Sequence, residues 1–381
     1  MSGTSDEQKE PSFKAGAEFR NVYNPEIVHQ LALRLKKEYS KFDINGFVDD
    51  FTIQYKPLKL MERSHLITKN LIHYLPQDFK HSVDVLLNIL GPELDKTSLT
   101  GFEGFIVVPQ TMFIVERGMD EQHFLLSMKA LYEMTKRFSS ENAMRFFLLK
   151  HEKKTLEILH VWVNDPNVHV RRLVSECTRP RLPWACRLLN YQKNPQPVLE
   201  LLEKLKFDNE LYVRRSVANN LNDITKDNPD IVVEVLKRWS KTNDKGVLWL
   251  VKHAARSMLK QGHKEVLQLL GYQHPELVFE NFVVDNKIIL GYDLKFSFDI
   301  LSRINQNVMI DYKIYFMKAN GKLSPKVFKL SKKKLKKGEK TSFSKKHSFR
   351  LITTRKYYRG EHTLEIIVNG IIFGKKHFLL I

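Results

Sequence analysis

A helical motif that returns after 43 residues constrains this chain more than any other feature. Asn164-Asp165-Pro166-Asn167-Val168-His169-Val170-Arg171-Arg172-Leu173-Val174 is echoed by Asp208-Asn209-Glu210-Leu211-Tyr212-Val213-Arg214-Arg215-Ser216-Val217. A weaker third copy follows Asn243-Asp244 as Leu248-Trp249-Leu250-Val251-Lys252-His253-Ala254-Ala255-Arg256. A period near 40, with paired helices opening on an acidic or amide residue and V-R-R, marks a HEAT-like α-solenoid. The Asp or Asn is expected to cap each helix, and the following Val and Leu to enter the stacked core. Such a stack presents the same face repeatedly, so polar residues at matching positions line one concave surface.

The helical pattern runs from about Pro25 to Leu270, with apolar residues at three- and four-residue spacing in IVHQLALRLKKEY, FLLSMKALYEMTKRF and PVLELLEKLKF. Residues 1–20 are polar and patternless and read as a flexible tail. They lack the apolar core of a secretory signal, and no apolar run approaches the about 20 residues that span a bilayer. A cytoplasmic protein with no membrane partner is expected. From Pro275 the period becomes two, as in NKIILGYDLKFSFDILS and HTLEIIVNGIIFGKKHFLLI, and Asn320-Gly321 and Asn369-Gly370 signal hairpin turns. About seven strands in this stretch suggest an immunoglobulin-like sandwich. It contains no Cys, so the disulfide of antibody domains is absent. The expected fold is therefore multidomain, α then all-β: a tail (1–20), a HEAT-like solenoid (21–273) and an immunoglobulin-like β-sandwich (274–381).

Charge separates the same two parts. The chain carries +19, and residues 274–381 hold 22 Lys and Arg against 9 Asp and Glu. The first 273 residues hold 40 against 34. A surplus of this kind favours a polyanion, with nucleic acid ahead of a membrane surface. Two Cys exclude a disulfide scaffold and a Cys-rich zinc module. Cys177 and Cys186 read as small apolar side chains in helical segments. His151, His160, His169 and His253 show no metal spacing, and the nucleotide, zinc-protease and serine-hydrolase motifs are missing. No metal and no cofactor are expected.

Three acids stand out by position. Glu141 opens Glu141-Asn142-Ala143-Met144-Arg145-Phe146, Glu176 comes five residues after Arg171, and Asp223 closes Asn219-Asn220-Leu221-Asn222-Asp223. By position alone they are either solvated and structural or a polar site on one face. Between them lies Thr178-Arg179-Pro180-Arg181-Leu182-Pro183-Trp184, a rigid cationic loop with an aromatic wall, suited to a phosphate backbone beside a base. Arg171, Arg172, Arg214, Arg215, Lys252 and Arg256 form either solvated helix faces or a basic track at phosphate spacing. In the β half, Lys332, Lys333, Lys334, Lys336 and Lys337 read as a solvated hairpin loop or a groove probe. Lys345, Lys346, Arg355 and Lys356 follow, interleaved with Tyr357 and Tyr358.

Residues 25–272, and above all Ser175-Glu176-Cys177-Thr178-Arg179-Pro180-Arg181-Leu182-Pro183-Trp184, resemble the HEAT-like repeat DNA glycosylases, most closely the alkylation-repair branch called AlkC. V-R-R-S-V-A-N-N-L-N-D (213–223) is shared with the related AlkD branch. Some AlkC proteins carry a C-terminal immunoglobulin-like domain. One departure is Cys177, where the family pattern has Gly. The resemblance implies excision of small cationic alkylated bases, of the 3-methyladenine and 3-methylcytosine type, from double-stranded DNA, by a monomeric bacterial enzyme associated with the nucleoid. It implies that Glu141, Glu176 and Asp223 line the lesion site without deep base flipping. It also implies that Trp184 is the aromatic residue at the site's edge, with Trp249 and Trp239 as weaker candidates; Arg179 and Arg181 are expected among the backbone contacts from the composition of their loop. Without the resemblance, a non-catalytic nucleic-acid-binding HEAT scaffold ranks first, ahead of a protein-interaction solenoid.

Overall fold

The computed structural model describes residues 22–94, 103–351 and 355–381. The tail expected over 1–20 lies outside them. The chain divides into two compact units, Met1–Asp227 and Asn228–Ile381.

The first unit is helical. In chain order it contains α1 (Pro25–Glu38), α2 (Ile44–Gln54), α3 (Leu60–Tyr74), α4 (Phe79–Asn88), α5 (Val107–Gly118) and α6 (Phe124–Thr135). Then come α7 (Glu141–Lys150), α8 (Glu152–Trp162), α9 (Val168–Cys177), α10 (Leu189–Lys193), α11 (Gln196–Leu205) and α12 (Leu211–Ile224). The V-R-R helices of the first two motif copies, α9 and α12, pack on each other, with α11 against both. Val170, Leu173 and Val174 of α9 and Val213, Val217 and Leu221 of α12 are all fully buried. Each such side chain contributes about 1.5–3 kcal/mol when taken from water.

The repeated Asp does more than end a helix. Asp165 accepts from the Asn167 amide at 2.8 Å, and Asp208 accepts from the Glu210 amide at 2.9 Å. The first arginine of each pair turns back to the same residue. Arg171 Nη1 donates to Asp165 O at 2.9 Å, and Arg214 donates to Asp208 O. Arg171 also reaches forward into the next copy, donating from Nε to Asp208 Oδ2 at 2.6 Å and from Nη2 to Oδ1 at 3.2 Å. The first copy thus supplies the arginine of this staple and the second its aspartate. Side-chain capping occurs at Asn167 of α9 and Asp244 in the third copy, whereas α12 begins at Glu210 without it.

The second unit begins with α13 (Pro229–Trp239), α14 (Lys245–Ala254), α15 (Arg256–Lys260) and α16 (Lys264–Leu269). Its strands are β1 (Leu277–Val284), β2 (Lys287–Ile288), β3 (Asp293–Ser302), β4 (Gln306–Met317), β5 (Leu323–Leu335), β6 (Lys340–Ser348), β7 (Gly360–Val368) and β8 (Ile371–Leu380). They form one sheet in the order β1-β3-β6 and another in the order β2-β8-β7-β4-β5. Alternate residues of β3, β4 and β7, including Phe298, Ile300, Ile310, Ile314, Leu364 and Ile366, fill the core between the sheets. The change from helix to strand falls between Leu269 and Leu277, whereas the division into compact units falls earlier, after Asp227.

Asn369 and Gly370 show how α16 and the sandwich share one unit. Their φ values are 47° and 82°, which a two-residue hairpin of this type requires. A Cβ on Gly370 would lie 2.8 Å from Leu267 Cδ1 and 3.0 Å from Gly262 Cα. The Asn369 side chain accepts from Met309 N at 2.8 Å and donates to Gln273 O at 2.9 Å. Two strand expectations change. The described residues hold eight strands, the short β2 lying parallel to β8. Lys332, Lys333 and Lys334 belong to β5 rather than to a loop, because Leu335 is drawn fully into the core.

Candidate active site

The three acids singled out in the sequence come together on one polar ledge. Glu141 is the first residue of α7, Glu176 lies in the last turn of α9, and Asp223 in the last turn of α12. Arg172 Nη1 donates to Glu141 Oε2 at 2.8 Å and its Nη2 lies 3.6 Å from Glu176 Oε1. Arg179 Nη1 donates to the same Glu176 oxygen at 2.6 Å, and its Nε donates to Asp223 Oδ2 at 2.8 Å. Lys226 Nζ closes the row at 3.1 Å from Asp223 Oδ1. Acid and base therefore alternate: Glu141, Arg172, Glu176, Arg179, Asp223, Lys226. Three carboxylates are balanced by three cations, so the ledge does not repel an anionic polymer as three bare acids would.

Exposure is graded along the row. The side chains of Glu176 and Asp223 are 6% and 5% exposed, and that of Glu141 is 24% exposed. Burial alone would raise the Glu176 pKa. The charges of Arg172 and Arg179 and the Ser216 hydroxyl, which donates to Oε2 at 2.5 Å, more than reverse this and hold it below its ordinary value. Glu176 is thus a carboxylate with both oxygens engaged. The Ser139 hydroxyl donates to Glu141 at 2.7 Å. Tyr212 lies under the Arg172 guanidinium, 5.3 Å from ring centroid to Cζ.

Trp184 stands out from the loop after α9, 72% exposed and with φ 61°, a conformation rare outside glycine. It borders a cleft of about 190 Å³ shared with Met61, His65, Met112, Asn142 and Phe146. Asn142 follows Glu141 directly, so the cleft abuts the start of α7.

Several expected site residues lie elsewhere. Trp239 is 2% exposed in the core of the second unit, so it is not a surface aromatic. Its position in α13 continues the apolar stripe of Val232, Val235 and Leu236. Trp249, half-buried in the same unit, stacks on His253 at 4.9 Å. Cys186 is in a loop rather than a helix and is only half-buried, whereas Cys177 is fully buried. The arginines of the first unit do not form an open basic track. Arg171 is held by Asp208, Arg172 and Arg179 by the ledge acids, and Arg181 by Asp227 at 2.6 and 2.9 Å. Arg214 binds a carbonyl and Arg215 is half-buried. Arg256 donates to His253 O at 2.8 Å, and Lys252 is exposed.

The cations of the β region are different. Lys332, Lys334, Lys336, Lys337, Lys345, Lys346 and Lys356 are exposed, with Lys332 over Tyr272 at 5.7 Å and Lys356 over Tyr358 at 5.5 Å. Lys333 meets Glu339 at 2.9 Å, and Arg355 covers Phe316 at 4.7 Å. Among the described residues no group of three or more His, Cys, Asp or Glu side chains is placed to hold a metal ion, and no helix is long and apolar enough to cross a membrane. Sequence reasoning missed Ser139, Ser216, Tyr212 and Arg145. The spacing of Arg172, Glu176 and Arg179, four and then three residues apart on or beside one helix, was a usable signal for part of the row.

Residues 279–381 match a family model described as the C-terminal Ig-like domain of the uncharacterised protein YhaZ. The uncharacterized protein YhaZ of Bacillus subtilis (strain 168) is 37% identical over 357 residues, covering 93% of this chain and 97% of that protein. A solved structure of Pseudomonas fluorescens alkylpurine DNA glycosylase AlkC, bound to DNA containing an abasic site analog, superposes with a TM-score of 0.88. Its sequence is 34% identical, and the match covers 95% of this chain and 99% of that one. This chain belongs to the AlkC family. The match spans both units, so the helical repeats and the Ig-like sandwich are shared with AlkC rather than a local likeness.

Proposed function

We propose that this AlkC-family chain is a DNA glycosylase that hydrolyses the N-glycosidic bond of small cationic alkylated bases, of the 3-methyladenine and 3-methylcytosine type. The observation that carries this reading is the ledge. In a chain 34% identical to AlkC, three carboxylates stand in one row of alternating charge beside an exposed tryptophan.

The chemistry follows from the leaving group. An N3-alkylated base is already cationic and departs without much help from a general acid. The sugar becomes oxocarbenium-like as it leaves, and a fixed carboxylate lowers that barrier by facing the developing charge. A second carboxylate orients the water that completes hydrolysis. Glu141, Glu176 and Asp223 share these two tasks, held ready by Arg172 and Arg179. Trp184 adds cation–π attraction to the charged base, about 0.5–2 kcal/mol. The accessible groups, Glu141 at one end of the row and Trp184, suit a lesion that stays near the duplex instead of entering a deep pocket. In the same reading the exposed lysines of β5 and β6, with Arg355 and Lys356, hold the phosphate backbone of duplex DNA. The enzyme works as a monomer on nucleoid DNA and needs no cofactor.

The test is base release. Methylated duplex DNA is incubated with the protein and free bases are separated by chromatography. Release of 3-methyladenine or 3-methylcytosine is expected. DNA binding without release of any methylated base leaves only a scaffold.

A further inference from the structure

Four residues after Glu141, on the same helix, an arginine is completely buried. Arg145 is 0% exposed, among Ala143, Met144, Phe147 and Leu148 of an otherwise apolar face. Its Nη1 donates to Cys177 O at 2.9 Å and to Arg179 O at 2.6 Å. Its Nε and Nη2 both donate to Cys186 O, at 2.8 and 2.5 Å. All four bonds go to main-chain carbonyls. Cys177 ends α9, whose last carbonyls have no partner within the helix. Arg179 and Cys186 bracket the loop that carries Trp184.

These carbonyls belong to the machinery on both sides. The Arg179 residue whose carbonyl Arg145 holds is the one whose guanidinium joins Glu176 to Asp223. The Cys186 carbonyl lies two residues beyond Trp184, whose φ of 61° needs support from its surroundings. Burying a guanidinium is costly, and a helix end is ordinarily finished by water or a glycine. A planar fork of five donors is the one side chain that can tie a helix end to a loop end at once.

We propose that Arg145 is a positioning residue: it fixes both ends of the 179–186 loop, and so sets Trp184 and the Glu176–Arg179–Asp223 row in working register. This rests on the glycosylase reading for its effect on rate, but not for its effect on Trp184. A lysine keeps the charge but has one nitrogen in place of the three that bond Cys177, Arg179 and Cys186, and loses the planar fork.

The experiment compares wild type with Arg145→Lys, using full-length protein labelled with 5-fluorotryptophan. Fluorine NMR resolves the four tryptophans, and Trp184→Phe assigns one signal. Single-turnover base release from 3-methyladenine duplex is measured at saturating protein. In Arg145→Lys the Trp184 signal should shift or split while the Trp162, Trp239 and Trp249 signals stay. Release should slow at least about tenfold with undamaged-DNA affinity within about twofold. An unmoved Trp184 signal overturns the proposal, with or without a rate change. Loss of the Trp162 signal along with that of Trp184 overturns it too, since Arg145 would then hold the whole first unit rather than one loop. If wild type releases no base, the glycosylase reading fails, and the Trp184 signal still decides the role of Arg145.

Discussion

Cations in the helical unit and cations of the β region face different things. Arg171, Arg172, Arg179 and Arg181 have side chains 12–24% exposed, each with a carboxylate at 2.6–2.8 Å. Lys334, Lys336, Lys337, Lys345 and Lys346 stand in solvent. The first group carries charge that the fold has already used, in staples between repeats and in the ledge. The second carries charge still open to a polyanion. Formal charge is therefore a poor guide to grip: the arginine pairs are conspicuous in the sequence, but the plainer lysines remain exposed.

The sharpest way to break this contrast is Arg179→Met. It leaves Glu176 and Asp223 buried without their shared partner, and stability should fall by about 3–5 kcal/mol in urea titration. Because Glu176 is held below its ordinary pKa, its favourable contribution is complete above pH 4.5 and is lost as pH falls through its lower folded value. Removing Arg179 should move that acid limb upward. Lys334→Met, by contrast, should change stability by less than about 0.5 kcal/mol. Equal effects of the two substitutions would erase the distinction.

Asp311 probes the exception in the β region. It is a 6%-exposed carboxylate on β4, and burial pushes its pKa up to about 6, with Lys332, Lys329 and Lys260 only partly opposing the rise. A raised carboxyl pKa means that the folded state gains stability as pH falls through about 6, and that the ionised form costs stability above it. Asp311→Asn should therefore stabilise the protein by about 1–3 kcal/mol at pH 8, the gain fading toward pH 4. A thermal melt series that shows no pH dependence in the difference would contradict the assignment.

The lysines at the end of β5 and in the turn after it test the same contrast through binding. Replacing Lys332, Lys333, Lys334, Lys336 and Lys337 by Ser should weaken duplex binding about tenfold near physiological salt. The slope of log affinity against log salt should also flatten by about 0.9 for each phosphate no longer neutralised. An unchanged salt slope would remove these lysines from the DNA interface.

How much of the molecule is legible in the sequence depends on range along the chain. The V-R-R repeat, the switch to period two and the Asn-Gly turns are local patterns, and they announce the helical repeats and the sandwich. The Arg172–Glu176 pair spans four residues and is open to inspection. The Arg172–Glu141, Arg171–Asp208 and Arg179–Asp223 pairs join positions 31–44 residues apart, and only the stacking of repeats brings them together. That is why the arginines resemble a surface track in the sequence. Trp239 enters as a site candidate only through the resemblance, and the packing of its helical stripe is what buries it. Arg145 is hidden because a charged residue on an apolar face resembles noise in the pattern. Its partners are main-chain carbonyls, which no sequence displays. The place where the fold divides, after Asp227, also depends on packing, here of α16 beneath the Asn369-Gly370 turn.

On the proposed reading, chemistry resides on the helical ledge and grip on the exposed lysines of the β region. Single-turnover release of 3-methyladenine at saturating protein tests it, with wild type, Glu176→Gln and the five-lysine variant side by side. Glu176→Gln should slow release by at least about a hundredfold, while the five-lysine variant should match wild type once DNA is fully bound. Release undiminished in Glu176→Gln, or lost equally in the five-lysine variant, would contradict it.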